Sequence, residues 1–127
     1  MRSLILAAPF ALLAVAGTAG AANGVEKRLA GRVPGPPQHC VQRALLRYAD
    51  VIDHRAIVYT ASGGTRLYVN EPTAGLPDLD DRDVLVMRSS SPLVCSDDVV
   101  DLVDRYSQEP RGFVRLGQFV PYDRRGS

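Results

Sequence analysis

The sequence predicts a mainly β fold: a small antiparallel meander forming a barrel or sandwich, with room for one short helical turn and a signal helix ahead of it. Three observations point there. β-branched and aromatic residues gather in short runs such as Ala56–Ala61, and these residue types suit a pleated, half-buried surface. Gly63-Gly64 divides two of those runs, and glycine admits the positive φ that a tight hairpin needs. Breaks rich in Gly, Pro or Ser recur over 71–77, 89–92 and 108–112, which leaves little length for a long helix. A chain of 127 residues supports one small domain and excludes a second full-sized one.

The chain opens with Arg2 before an uncharged run from Leu4 to Ala16, followed by small residues. Ala19-Gly20-Ala21 fits the small-x-small pattern of a cleavage site, so residues 1–21 read as a signal peptide. The alternative is a membrane anchor. The apolar run falls short of the about 20 residues that cross a hydrocarbon core, so the mature form is expected to carry no transmembrane anchor. No cysteine follows the run closely enough to take a lipid. The expected location is periplasmic or secreted. Loss of Arg2 leaves equal numbers of acidic and basic side chains, and that balance gives no electrostatic case for nucleic acid binding. Nearly all bases are Arg and most acids Asp, a bias that genome composition also produces.

Cys40 and Cys95 are an even pair in an exported small domain, and read first as a disulfide. Two buried free thiols are the alternative. A metal site is weaker, because His39 and His54 stand at no ligand spacing from them. A bridge across so long a loop is worth about 4 kcal/mol in the chain-entropy account.

Residues 22–39 read as a flexible Pro/Gly linker, since Pro34-Gly35-Pro36-Pro37 removes amide donors and favours extended backbone. A proline-rich ligand for a recognition domain is the functional alternative. The folded unit is then a single small β domain over 40–121, with 122–127 a polar tail. Segment 41–48 is open between helix and strand: Val41, Ala44, Leu45 and Tyr48 share a helical face, but the run is short. Val51-Ile52, a turn at Asp53-His54-Arg55, and Ala56–Ala61 read as strand, turn, strand. Thr65–Asn70 returns across Gly63-Gly64 and completes the clearest hairpin, on which Tyr59 and Tyr68 flank the turn symmetrically as a cross-strand pair. Pro77–Asp83 suits a short helical turn with Pro and Asp at its start. Val84–Met87 is a compact apolar strand. Segment 97–106 is open again: Val99, Val100, Leu102, Val103 and Tyr106 suit a helix capped by Ser96, while its valines argue for a strand. Gln108–Gly112 reads as a turn and Phe113–Val120 as the last strand.

Candidate chemistry is sparse. Asp53-His54 is the tempting acid–base pair, but neighbours on an extended strand point to opposite faces, and a hairpin turn explains both. Asp78, Asp80, Asp81 and Asp83 could hold calcium. With Asp78 at position 1 of an EF-hand loop, however, Asp83 falls where Gly is required and Ser89 where Glu is required. Ser89-Ser90-Ser91 lacks a G-x-S-x-G frame. No nucleotide-binding glycine motif occurs. No catalytic, metal or cofactor-binding residue is assigned, and no cofactor is implied. The residues singled out are the disulfide pair Cys40 and Cys95. The tyrosines read as sheet packing before they read as a binding face.

A set of landmarks in order carries a resemblance: Cys40, Val51-Ile52-Asp53 with Ile57-Val58-Tyr59, Arg66-Leu67-Tyr68, Leu76-Pro77-Asp78-Leu79, Leu93-Val94-Cys95, and Leu116 to Pro121. The chain resembles a family of small exported proteobacterial proteins classed as a domain of unknown function. The resemblance implies export, a mostly β fold and strands in both open segments. Relatives carry two further cysteines near the positions of Leu76 and Val114, absent together here, as expected for loss of one bridge as a unit. It implies no activity.

Two function classes follow. One is a non-catalytic binding or structural envelope module whose partner is another envelope protein or a small ligand. The other is a small periplasmic hydrolase-like enzyme using Asp53 and His54.

Overall fold

Short β-branched runs must pair to satisfy their backbone groups, and every such run here finds an antiparallel neighbour. The structure, a computed structural model, describes residues 24–125. The segment read as a signal peptide, 1–21, lies outside the described residues, as do Gly126 and Ser127.

One sheet holds five strands in the order β1 (Arg32–Pro34), β10 (Phe119–Arg124), β5 (Arg66–Asn70), β4 (Ala56–Ala61) and β3 (Leu46–Ile52). A second pairs β2 (Cys40–Gln42) with β7 (Leu93–Cys95). A third runs β6 (Asp83–Met87), β8 (Val99–Asp104), β9 (Pro110–Arg115). All pairings are antiparallel. The three sheets share one core, and the chain is mainly β with antiparallel sheets, as predicted. Ile57, Tyr59, Tyr68 and Phe119 meet Val41, Val94, Val100, Leu102 and Val114 across it. Tyr59 and Phe119 lie with ring centroids 6.0 Å apart, and burial pushes the Tyr59 phenol far above its ordinary titration range. Alternation along β4 and β5 sends Ala56, Val58, Leu67 and Val69 to the opposite face. There helix α1 (Gly24–Leu29) covers them with Val25 and Leu29. The large sheet is therefore packed on both faces.

The predicted hairpins stand. Gly63 and Gly64 turn β4 into β5 at φ 93° and 78°, and Tyr59 faces Tyr68 in register. The Asp53–Arg55 turn joins β3 to β4, with His54 at φ 58°. The expected helical turn near Pro77 is a 3-10 turn over Leu76–Asp78. Both open segments resolve mainly as strand. Within 41–48, β2 and β3 flank a 3-10 turn over Arg43–Leu45. Within 97–106, β8 lies between two partners, and valine favours that setting over a helix.

Four expectations are corrected. The linker over 22–39 holds α1 and β1 instead, and β1 pairs with β10. Val25 and Leu29 supply the apolar side that a scan for glycine and proline overlooks. The polar tail 122–127 begins as strand, because Tyr122, Asp123 and Arg124 complete β10 against β1 and β5. The folded unit thus exceeds 40–121 at both ends. The last strand, read as Phe113–Val120, is two strands broken at Leu116–Gln118, and Pro110–Gly112, read as turn, opens β9. The break turns on Gly117, where a Cβ would stand 2.3 Å from Glu71 O. Only glycine admits so close a backbone approach.

Candidate functional site

The cysteine pair is built by register. Ser96 N donates to His39 O, and Arg43 N donates to Pro92 O. These pairs bracket Cys40 opposite Cys95, a position that exchanges no ladder hydrogen bonds and brings backbones closest. The Cα atoms stand 4.0 Å apart and the sulfurs are bonded. Cys95 N points away and donates to Asp98 Oδ2 at 2.8 Å. No free cysteine remains. The sulfurs lie close to a His39 ring nitrogen, but joined to each other they are not thiolate ligands.

The same register brings together a pair that sequence reading missed. His39 Nδ1 and Ser96 Oγ are in hydrogen-bond contact across β2 and β7. The signal was present: an antiparallel Cys40–Cys95 bridge sets residue 39 opposite residue 96.

Asp53 and His54 are side by side in the turn, yet each reaches a different point of the facing loop. Asp53 Oδ1 accepts from Asp81 N at 2.7 Å. His54 Nδ1 donates to Leu76 O at 3.3 Å, and His54 N donates to Leu79 O at 2.8 Å. Both residues fasten the β3–β4 turn to the loop before β6.

The acidic run folds on itself in the same way. Asp80 Oδ1 accepts from Arg82 N at 2.8 Å and Arg82 Nε at 3.1 Å, which lowers the Asp80 carboxyl to about 2. Asp83 is buried; its Oδ2 accepts from Asp80 N at 3.1 Å, and its Oδ1 takes Arg111 Nη1 at 2.6 Å. Asp53, Asp80 and Asp81 converge within 4.8 Å, and the Asp53 charge raises the Asp81 carboxyl first of all. Asp78 does not join them. In the serine run, Ser89 Oγ accepts from Ser91 N and Ser91 Oγ from Leu93 N, ordinary turn contacts.

Two grooves flank α1. One, about 540 Å³, has Lys27, Arg28 and Arg105 facing Asp50 and Asp81. The other, about 470 Å³, is walled by Arg28, Arg32, Arg124 and Arg125 around Ala30 and Gly31. Arg28 is paired with Asp50. Among the described residues, no helix is long and apolar enough to cross a membrane.

The fold and this arrangement define a disulfide-bonded, all-β domain of three antiparallel sheets. Comparison with protein-family models, curated proteins and solved structures finds no match.

Proposed function

We propose that the chain is an exported, non-catalytic binding or structural module of the cell envelope. The observation that carries this reading is the use made of Asp53 and His54. Each fastens one loop to another, and neither addresses its neighbour. A general acid–base pair needs both groups turned towards one reacting site. The bonded cysteines suit an oxidising compartment, where such bridges persist. The leader-like residues 1–21 and the resemblance to small exported proteobacterial proteins accord with export. The partner is another envelope protein or a small ligand.

Recovery of the native protein from the periplasm tests this reading. It is expected to carry a partner or ligand; consistent isolation of a bare chain from intact cells would contradict it.

One observation favours a second reading, a small hydrolase. Asp53 and His54, held apart, suit it poorly, whereas Ser96 against His39 pairs a hydroxyl with an imidazole. A broad hydrolase panel on the wild type, Ser96→Ala and His54→Ala separates the two. Turnover abolished by either substitution would replace the binding reading; three equally inactive proteins retire the enzyme.

A further inference from the structure

Sulfur and imidazole donors meet at one place on the surface of the domain. The two sulfurs of Cys40 and Cys95 and a ring nitrogen of His39 all lie within 4.8 Å of one another. Both cysteines are half-buried and His39 is exposed, so solvent reaches the group. In the oxidised chain the sulfurs are bonded to each other, but that bond is not what brings the three side chains together.

The backbone around β2 and β7 is fastened independently of it. Just before His39, Gln38 N donates to Phe119 O at 2.7 Å and Phe119 N donates to Gln38 O at 2.9 Å. Just after Ser96, Asp97 N donates to Leu116 O at 2.8 Å. Across the pair, Ser96 N bonds His39 O on one side of the cysteines and Arg43 N bonds Pro92 O on the other. Val41 and Val94, the neighbours of Cys40 and Cys95, are buried in the core. His39 Nδ1 contacts Ser96 Oγ, which steadies the ring. A disulfide acts mainly on the unfolded chain. Opening it therefore frees two thiols while these contacts keep both cysteine backbones and the imidazole in place.

We propose that Cys40, Cys95 and His39 bind a thiophilic divalent cation such as zinc while the two sulfurs are thiols, and that closing the bridge expels it. Thiolate and imidazole donors suit zinc rather than magnesium or calcium. Zn–S bonds of about 2.3 Å and Zn–N bonds of about 2.0 Å set tetrahedral ligand atoms about 3.5–3.8 Å apart. That spacing lies inside the spread found here, and the sulfurs reach it by rotation about Cα–Cβ. Three protein ligands leave the fourth position to water. Two protons leave the thiols as the metal binds. An exported chain leaves the cytosol with its thiols reduced, so the site forms before the bridge and needs no reductant. Oxidation follows by thiol–disulfide exchange. A partner disulfide accepts both electrons and two protons to become two thiols, Cys40 bonds to Cys95, and the cation is released. The inference does not depend on the binding reading above.

The full mature chain is reduced with a water-soluble phosphine, which becomes the phosphine oxide as water supplies the oxygen and the two thiol protons. Freed of phosphine without air, it is titrated with cobalt(II) and then with zinc. A thiolate-to-cobalt charge-transfer band that saturates at one ion per chain is expected. Zinc should displace the cobalt, oxidised glutathione should abolish the band, and the oxidised chain should show none. Cys40→Ser should lose the band. His39→Ala should weaken binding at least about tenfold, the scale lost even with a residue that only supports a ligand. Asp81→Asn, in the separate carboxylate group with Asp53 and Asp80, should leave the band unchanged. Zinc should raise the melting point of the reduced wild type, because a ligand of the folded state stabilises it, and should not raise that of Cys40→Ser. A melting point lowered by zinc would place the metal on the unfolded chain and overturn the proposal. If reduction alone removes the near-UV dichroism, zinc is expected to restore it, and no restoration overturns the proposal equally. So would the absence of a charge-transfer band, or a His39→Ala protein that binds as tightly as wild type. Failure of this site leaves the binding reading standing if a partner still copurifies. A bare chain from the periplasm removes that reading and leaves the metal titration to be judged on its own band.

Discussion

Asn70 is fully buried at the end of β5, and its amide clamps the break between β9 and β10. Its Nδ2 donates to Gly117 O at 2.8 Å while Gly117 N donates to its Oδ1 at 2.8 Å. Asn70→Ala leaves both Gly117 groups without partners, beside a backbone that permits no Cβ. A buried polar group orphaned in this way costs roughly 1–3 kcal/mol, so two cost roughly 2–6 kcal/mol. A domain of this size melts roughly 4–8 °C lower per kcal/mol lost, which puts the expected drop at about 10 °C or more. Urea unfolding and a thermal melt of the same sample read it. Asn70→Asp sharpens the test. Buried and facing Gly117 O, the new carboxyl titrates above the ordinary value of about 3.9, because its charged form has lost a donor and gained a repulsion. A group raised on folding contributes stability fully present below the unfolded value and lost as pH rises through the folded value. That variant should therefore approach wild-type stability near pH 4 and fall away towards pH 7. An Asn70→Ala protein within about 0.5 kcal/mol of wild type, the range of ordinary surface changes, would refute the clamp.

Other outcomes follow from the same geometry. Reducing Cys40–Cys95 frees a 55-residue separation and should cost about 4 kcal/mol, seen as a lower denaturation midpoint with dithiothreitol than without. Arg111→Ala strips the buried Asp83 carboxylate of its charge partner; with the arginine itself partly exposed, the loss should be about 1–3 kcal/mol, the cost of a buried acceptor left short of a partner, and Arg111→Lys should recover part of it. Acid should loosen the loop before β6: the Asp80 carboxyl, lowered to about 2, contributes above its ordinary value and loses that contribution as pH falls through 2. Amide exchange of Arg82, which donates to that carboxylate, should speed up over this range. Unchanged exchange would mean that the Asp80 turn holds nothing.

Much of the fold was legible because its signals are local. Gly63-Gly64 between two β-branched runs can hardly be anything but a hairpin turn, and Tyr59 opposite Tyr68 followed from symmetry about it. Placement failed where the deciding contact is distant in sequence. α1 and β1 looked like tether because their glycines and prolines are visible in the chain, while the surfaces that order them, Val58, Leu67 and Tyr122, are supplied by β4, β5 and β10. The break at Leu116–Gln118 was hidden for the same reason: Gly117 is required by Glu71 O and Asn70, not by its neighbours. Among candidate sites, the sequence located the Cys40–Cys95 bridge but not what that bridge implies for His39 and Ser96. It did not show that Asp53 belongs with Asp80 and Asp81. The groove walled by Arg28, Arg32, Arg124 and Arg125 was illegible, because these residues lie at opposite ends of the chain and are brought together by the β1–β10 register.

The measurement that bears most directly on the account is the intact mass of the protein from a periplasmic fraction, alkylated without reductant. A chain starting at Ala22 with no alkyl group on Cys40 or Cys95 is the expected result. A cytosolic chain that retains Met1 and takes label on both cysteines would contradict export and the covalent staple together.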